Sequence, residues 1–161
     1  MKLNKDIGII FRNYDKPDDK EVLLSLKKFC KKNQRKLYLA NNFKMAVNLD
    51  LDGVYIPSYN KKLRIKNFTL KKNFLILGSA HNLPEIFYKK KQGVNLIFLS
   101  PLFKTKNYKK ILGIIKFNIL SRLSNEKIIA LGGINEKNLN NLKIIKACGF
   151  SGISYFNRLN K

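Results

Sequence analysis

"IIALGGIN", Ile128 to Asn135, is a run of β-favouring apolar residues that ends in Gly132-Gly133 and passes at once into a polar stretch of helical type. It has the form of a βα joint: a strand apolar on both faces, a tight turn, and Asn135 as an N-cap. Paired glycines at the start of a helix bring bare backbone N–H groups to one point, where the helix dipole favours an anion. A plain left-handed turn is the other reading of the same two residues.

The same joint recurs along the chain. Strand-like runs stand at Ile7–Phe11, Leu37–Leu39, Val54–Ile56, Phe74–Leu77, Leu96–Leu99, Ile128–Leu131 and Gly152–Phe156. Helical patterns fill Asp18–Lys32, Leu83–Lys91, Leu112–Leu123 and Glu136–Cys148, the first with Val22, Leu23, Leu26 and Phe29 at helical spacing. Strands alternating with helices imply a parallel sheet, covered on both faces because the runs are apolar throughout. A doubly wound sheet and a (β/α)8 barrel both satisfy this. Arg12, Asn41, Ser79 with His81, Ser100 with Thr105, and Gly132-Gly133 each follow a different strand. Barrels assemble their sites from many strand ends, whereas a doubly wound sheet uses one switch point. No GxGxxG follows the first strand, so a barrel is expected, one strand short of eight.

Composition bounds the rest. The 161 residues read as one domain, 1–161, with no Pro/Gly/Ser linker and a normal 45% hydrophobic share. No apolar run nears the roughly 20 residues that span a bilayer; Ile111 to Leu120 is broken by Lys116 and Asn118. No secretory leader is legible, so a cytoplasmic location and no membrane partner are expected. Cys30 and Cys148 are far apart, without CxxC spacing or clustered histidines, and read as half-buried free thiols rather than a zinc site. The net charge of +23 invites a nucleic-acid reading. All but five of the 33 basic residues are lysines, however, and they are spread end to end in pairs and triplets such as Lys89 to Lys91. A solvated surface accounts for that pattern, and nucleic-acid binding beyond nonspecific charge is not expected.

"VNLIFLSPLFKT", residues 94–105, followed by Leu112-Gly113, resembles the thiamine-phosphate synthase and thiazole tautomerase (TenI) family, whose strand ends in G/S-P-x-F-x-T. "LDGVYIP" at Leu51 to Pro57, "LGSAHNLPE" at Leu77 to Glu85, "ALGGIN" and "IIFRNYD" resemble further motifs of that family in the same order. The resemblance covers nearly all of residues 7 to 157 and implies a (β/α)8 barrel whose first βα unit is missing. A homodimer, or Met1 to Lys5, is expected to cover the gap.

The resemblance implies a reaction that joins a pyrimidine methyl pyrophosphate to a thiazole phosphate and releases pyrophosphate. It places Arg12 on the leaving group, Ser79 near the scissile centre and Thr105 in a pyrophosphate loop. Lys106 and Lys109 lie close enough to replace a missing motif Ser-Lys. Gly132 and Gly133 form the thiazole-phosphate cradle, completed by Ser154 or Asn157. The motif lysine after Arg12 falls on Tyr14, and the two Mg²⁺-binding aspartates fall on Asn41 and Asn60. Amides hold a hard cation poorly without a carboxylate. Mg²⁺ is therefore expected only if the synthase reaction is retained. His81 matches the acid/base histidine of the tautomerase branch, a role that suits this side chain and needs no metal. Three readings stay open: a synthase-like transferase, a tautomerase, and a non-catalytic binder of a phosphorylated ligand.

Overall fold

The computed structural model describes residues 7–13, 19–63, 68–105 and 110–158, with the side chains of 157 and 158 left aside. Seven strands form one sheet: β1 (Ile9–Phe11), β2 (Leu37–Ala40), β3 (Gly53–Ile56), β4 (Leu75–Ala80), β5 (Leu96–Leu99), β6 (Ile128–Leu131) and β7 (Gly149–Ser151). Their order in space is their order in sequence, and every neighbouring pair is parallel. Sequential order means that each crossover returns on the same side. Right-handed crossovers then put all helices on one face and curl the sheet toward a barrel. A doubly wound sheet would reverse its order at a switch point, and this one does not. Among the described strands, β1 and β7 each pair on one side only.

The strands alternate between two cores. Outward residues such as Leu37, Leu39, Val54, Ile76, Ile97, Leu99 and Ile128 join the layer beneath the helices. Inward residues form the concave layer, with Tyr38, Tyr55, Leu77 and Phe98 buried at its centre. The rings of Tyr55 and Phe98 meet edge to face, their centroids 5.6 Å apart. Continuous apolar runs are thus explained by burial on both faces.

The helices are α1 (Lys20–Lys32), α2 (Phe43–Asn48), α3 (Leu83–Lys91), α4 (Gly113–Ser124), a 3-10 helix (Glu136–Ile144) and α5 (Ile153–Arg158). Capping starts most of them. Asp19, Asn42, Asn82 and Asn135 accept from the backbone N–H of Val22, Met45, Glu85 and Lys137, each bond contributing about 1 kcal/mol. No helix of the described residues is long and apolar enough to cross a membrane.

Three sequence expectations are corrected. The last strand is Gly149–Ser151, and Ile153 to Phe156, expected in the strand, lie in α5, where Phe150 packs on Tyr155 and Phe156. The segment after Asn135 coils as a 3-10 helix that stops at Ile144 and not as an α-helix to Cys148; asparagines at 138, 140 and 141 compete with the α-ladder. Finally, Cys30 is buried and Cys148 exposed, in place of two half-buried thiols. Met1 to Lys5, Tyr14, Lys106 and Lys109 lie outside the described residues.

Candidate functional site

A cleft of about 820 Å³ opens over the C-terminal ends of the strands. Arg12 reaches it from behind β1, and Tyr55 and Ser58 from β3 and its loop. Ser79 and His81 come from β4, and Ser100, Lys104 and Thr105 from behind β5. The far wall is Gly132, Gly133 and Lys137 after β6, with Ser154 and Tyr155 after β7. Among the described residues, Arg12, Lys104 and Lys137 face it with one carboxylate, Glu136, a balance that favours an anionic ligand. A smaller hollow of about 130 Å³ beside α2 holds none of the expected site residues.

His81 is fixed from three sides. Its Nδ1 lies 2.8 Å from the Ser100 carbonyl, which can only accept, so Nδ1 carries the proton. Nε2 lies 3.2 Å from the Ser58 hydroxyl. The His81 backbone N–H donates to Glu85 Oε2 at 2.9 Å, and Glu85 completes the cap of α3 with Asn82. The start of α3 therefore sets the backbone of His81, and Ser58 and Ser100 set its ring.

The glycine pair has a measurable steric reason. Gly132 and Gly133 sit at φ +96° and +73°. A Cβ on Gly132 would lie 2.8 Å from Pro101 Cα, and one on Gly133 would lie 2.5 Å from the Lys104 carbonyl oxygen and 2.6 Å from the Phe103 carbonyl. Phe103 N–H donates to the Gly132 carbonyl at 3.0 Å, and Leu102 N–H to the Leu131 carbonyl at 2.9 Å. The glycines are the seat on which the 100–105 loop rests, and that loop carries Lys104 and Thr105 into the cleft.

Asn41 and Asn60 stand beside the cleft and do not line it. Asn60 Nδ2 donates to Asn41 Oδ1 at 2.6 Å, and Asn60 Oδ1 accepts from Lys62 N–H at 2.9 Å. Both amide oxygens thus already have protein donors.

Residues 7–158 match the family model described as thiamine monophosphate synthase. The chain belongs to that family. One relative, provisionally named thiamine-phosphate synthase 2 of Aquifex aeolicus, is 30% identical over 128 residues, covering 78% of this chain and 68% of that protein. A thiamine-phosphate synthase of Prochlorococcus marinus is 28% identical over 139 residues, covering 84% of this chain and 40% of the relative. The chain therefore spans between 40% and 68% of the length of these two synthases. Among solved structures, thiamine phosphate pyrophosphorylase from Pyrococcus furiosus superposes with a TM-score of 0.72 at 19% identity, over 92% of this chain and 72% of that one. FabK from Thermotoga maritima gives 0.67 at 14% identity, over 87% and 47%. At those identities the likeness is one of fold.

Membership of the thiamine monophosphate synthase family raises the question of Mg²⁺. The residues at the two ligand positions do not fit it. Asn41 and Asn60 offer no carboxylate and bond each other, and no cluster of three or more His, Cys, Asp or Glu exists among the described residues.

Of the expected site residues, the fold gathers Arg12, Ser79, His81, Thr105, Gly132, Gly133 and Ser154 around one cleft. It sets Asn41 and Asn60 beside it as a pair. Asn157 lies in α5 with its side chain undescribed. Sequence reasoning missed Ser58, Lys104 and Lys137. Lys104 abuts the "PLFKT" motif and Lys137 opens the helix after the glycines, so position was the available signal. Nothing local marks Ser58 as the partner of His81.

Proposed function

We propose that the chain, acting as a single domain, binds thiazole phosphate in this cleft and works in thiamine assembly as a thiamine-phosphate synthase-type transferase. The second substrate is hydroxymethylpyrimidine pyrophosphate. A bond forms between the thiazole ring nitrogen and the pyrimidine methylene carbon as that carbon's bond to pyrophosphate oxygen breaks, and the electron pair leaves with pyrophosphate. The observation that carries the reading is the placement of Arg12, Lys104 and Lys137 around one family-positioned cleft, where preorganised cations stabilise the charge on the leaving group. Gly132 and Gly133 back the phosphate end, with Ser154 from the start of α5. No step is assigned to a metal. The test is to supply both phosphorylated substrates and assay thiamine phosphate; no product, with tight binding of thiazole phosphate, would sink the joining reaction.

The held histidine favours a second reading. With Nδ1 committed to Ser100, Nε2 of His81 is the basic nitrogen available to move a proton on a bound thiazole ring, with Ser58 as its partner. That tautomerase chemistry needs neither Mg²⁺ nor a pyrophosphate site. Unchanged thiazole isomerisation in His81→Asn would refute it.

A further inference from the structure

The triplet Lys89 to Lys91, expected on a solvated face, hides a buried charge: Lys89 is 1% exposed. Its Nζ donates to the Pro57 carbonyl at 2.7 Å, the Asn60 carbonyl at 2.9 Å and Gln92 Oε1 at 2.8 Å. Gln92, itself 2% exposed, turns its Nε2 onto the carbonyls of Asn60 and Lys62 at 3.0 and 2.9 Å. The Tyr88 hydroxyl donates to the Lys61 carbonyl at 2.6 Å. Four carbonyls of the 57–62 loop are thus held by side chains from α3 and its C-cap. Gly78 on β4 makes room, since a Cβ there would lie 3.0 Å from Lys89 Cδ.

An ammonium in such a place is costly. Burial pushes Lys89 down to about 8, while nearby Glu85 pulls the other way. An apolar side chain of the same length would pack α3 without that cost, so helix packing does not account for the charge. The loop does. Unheld, it would leave carbonyls of residues 57 to 62 short of donors beside the site.

We propose that Lys89 is a positioning residue of the cleft: through the loop carbonyls it fixes residues 57–62 so that Ser58 holds the His81 ring and Asn60 holds Asn41. α3 then governs His81 twice, from its N-terminus through Glu85 and from its C-terminal turn through Lys89 and Ser58. The consequence for binding rests on the reading of the cleft given above; the positioning itself is measured without any ligand.

His81 is the chain's only histidine, so its ring nitrogens give one unambiguous set of ¹⁵N NMR signals. Ser58→Ala defines the signals of a ring without the Ser58 contact. Lys89→Met is expected to move the His81 signals toward those of S58A, and the double variant to add nothing to S58A, because both changes remove the same contact. Unmoved signals in folded K89M, or additive shifts in the double variant, overturn the proposal. If K89M does not fold, Gln92→Met removes two donors to the loop and is judged by the same two outcomes. Calorimetry with thiazole phosphate is an independent measurement, with a loss of roughly tenfold expected in K89M. Moved His81 signals with unchanged affinity would keep the positioning role and overturn the reading of the cleft.

Discussion

Replacing Gly133 by alanine separates two costs that usually come together. Gly133 and Gly93 share a φ of +73°, but a Cβ on Gly93 meets nothing within 4 Å, whereas one on Gly133 meets the carbonyls of Phe103 and Lys104 at 2.5–2.6 Å. Gly93→Ala should therefore cost only the left-handed backbone, about 1–2 kcal/mol. Gly133→Ala carries that cost and an overpacking cost of about 1–3 kcal/mol more, because the opposing atoms are backbone and cannot rotate away. For a chain of this size each kcal/mol lowers the melting temperature by roughly 2–4 °C. Urea unfolding of the two variants beside the parent measures the difference. A functional difference should follow the steric one. Displacing the 101–105 segment carries Lys104 and Thr105 out of the cleft, so G133A should lose thiazole-phosphate affinity while G93A keeps it. Equal stability losses would refute the seat that the glycines provide. Normal ligand affinity in G133A would detach that seat from function.

Restoring carboxylates in Asn41→Asp/Asn60→Asp should create a Mg²⁺ site at this amide pair: the variant gains about 2.7 kcal/mol at Mg²⁺ a hundredfold above its Kd, and loses stability without the ion, by melts with and without Mg²⁺. Lys89 gives a signed pH dependence, since its folded pKa of about 8 lies below the ordinary 10.5. The unfolded chain binds the extra proton between those values, so this group's contribution to stability rises from pH 8 to 10.5, by about 3 kcal/mol. Burial raises Cys30 and Tyr38 instead, whose contributions fall above pH 9 and 10, so the urea stability of the parent minus that of K89M is the quantity to plot. Asp19→Ala removes the α1 N-cap bond to Val22 and should cost about 1 kcal/mol in the same assay.

The sequence showed most of the sheet because its strands are buried on both faces, and such runs stand out from polar surroundings. It misled at β7. "GFSGISYF" carries two glycines, a serine and aromatic residues that suit strand and turn alike, and only pairing with β6 selects Gly149–Ser151. The helix α2 is six residues long, too short to display a period. Arg12, Ser79, His81, Thr105 and the glycine pair were legible because they sit at strand ends or just past them, where topology alone brings side chains together. Lys89 was not, because a lysine in a basic triplet looks the same whether water or a ring of carbonyls surrounds it. The pairing of Ser58 with His81 joins residues 23 apart in sequence and was invisible for the same reason.

One edge of the sheet ends in Arg12 and the other leads into Ser154, and both residues border the same cleft. No ladder joins β1 to β7 among the described strands, so the distance between those residues is set by curvature accumulated over six strand pairings. A ligand anchored at both would act as a tie rod across that opening. Its affinity would then report the curl of the whole sheet, and a change far from the cleft that flattens the curl would weaken binding without touching a single contact residue.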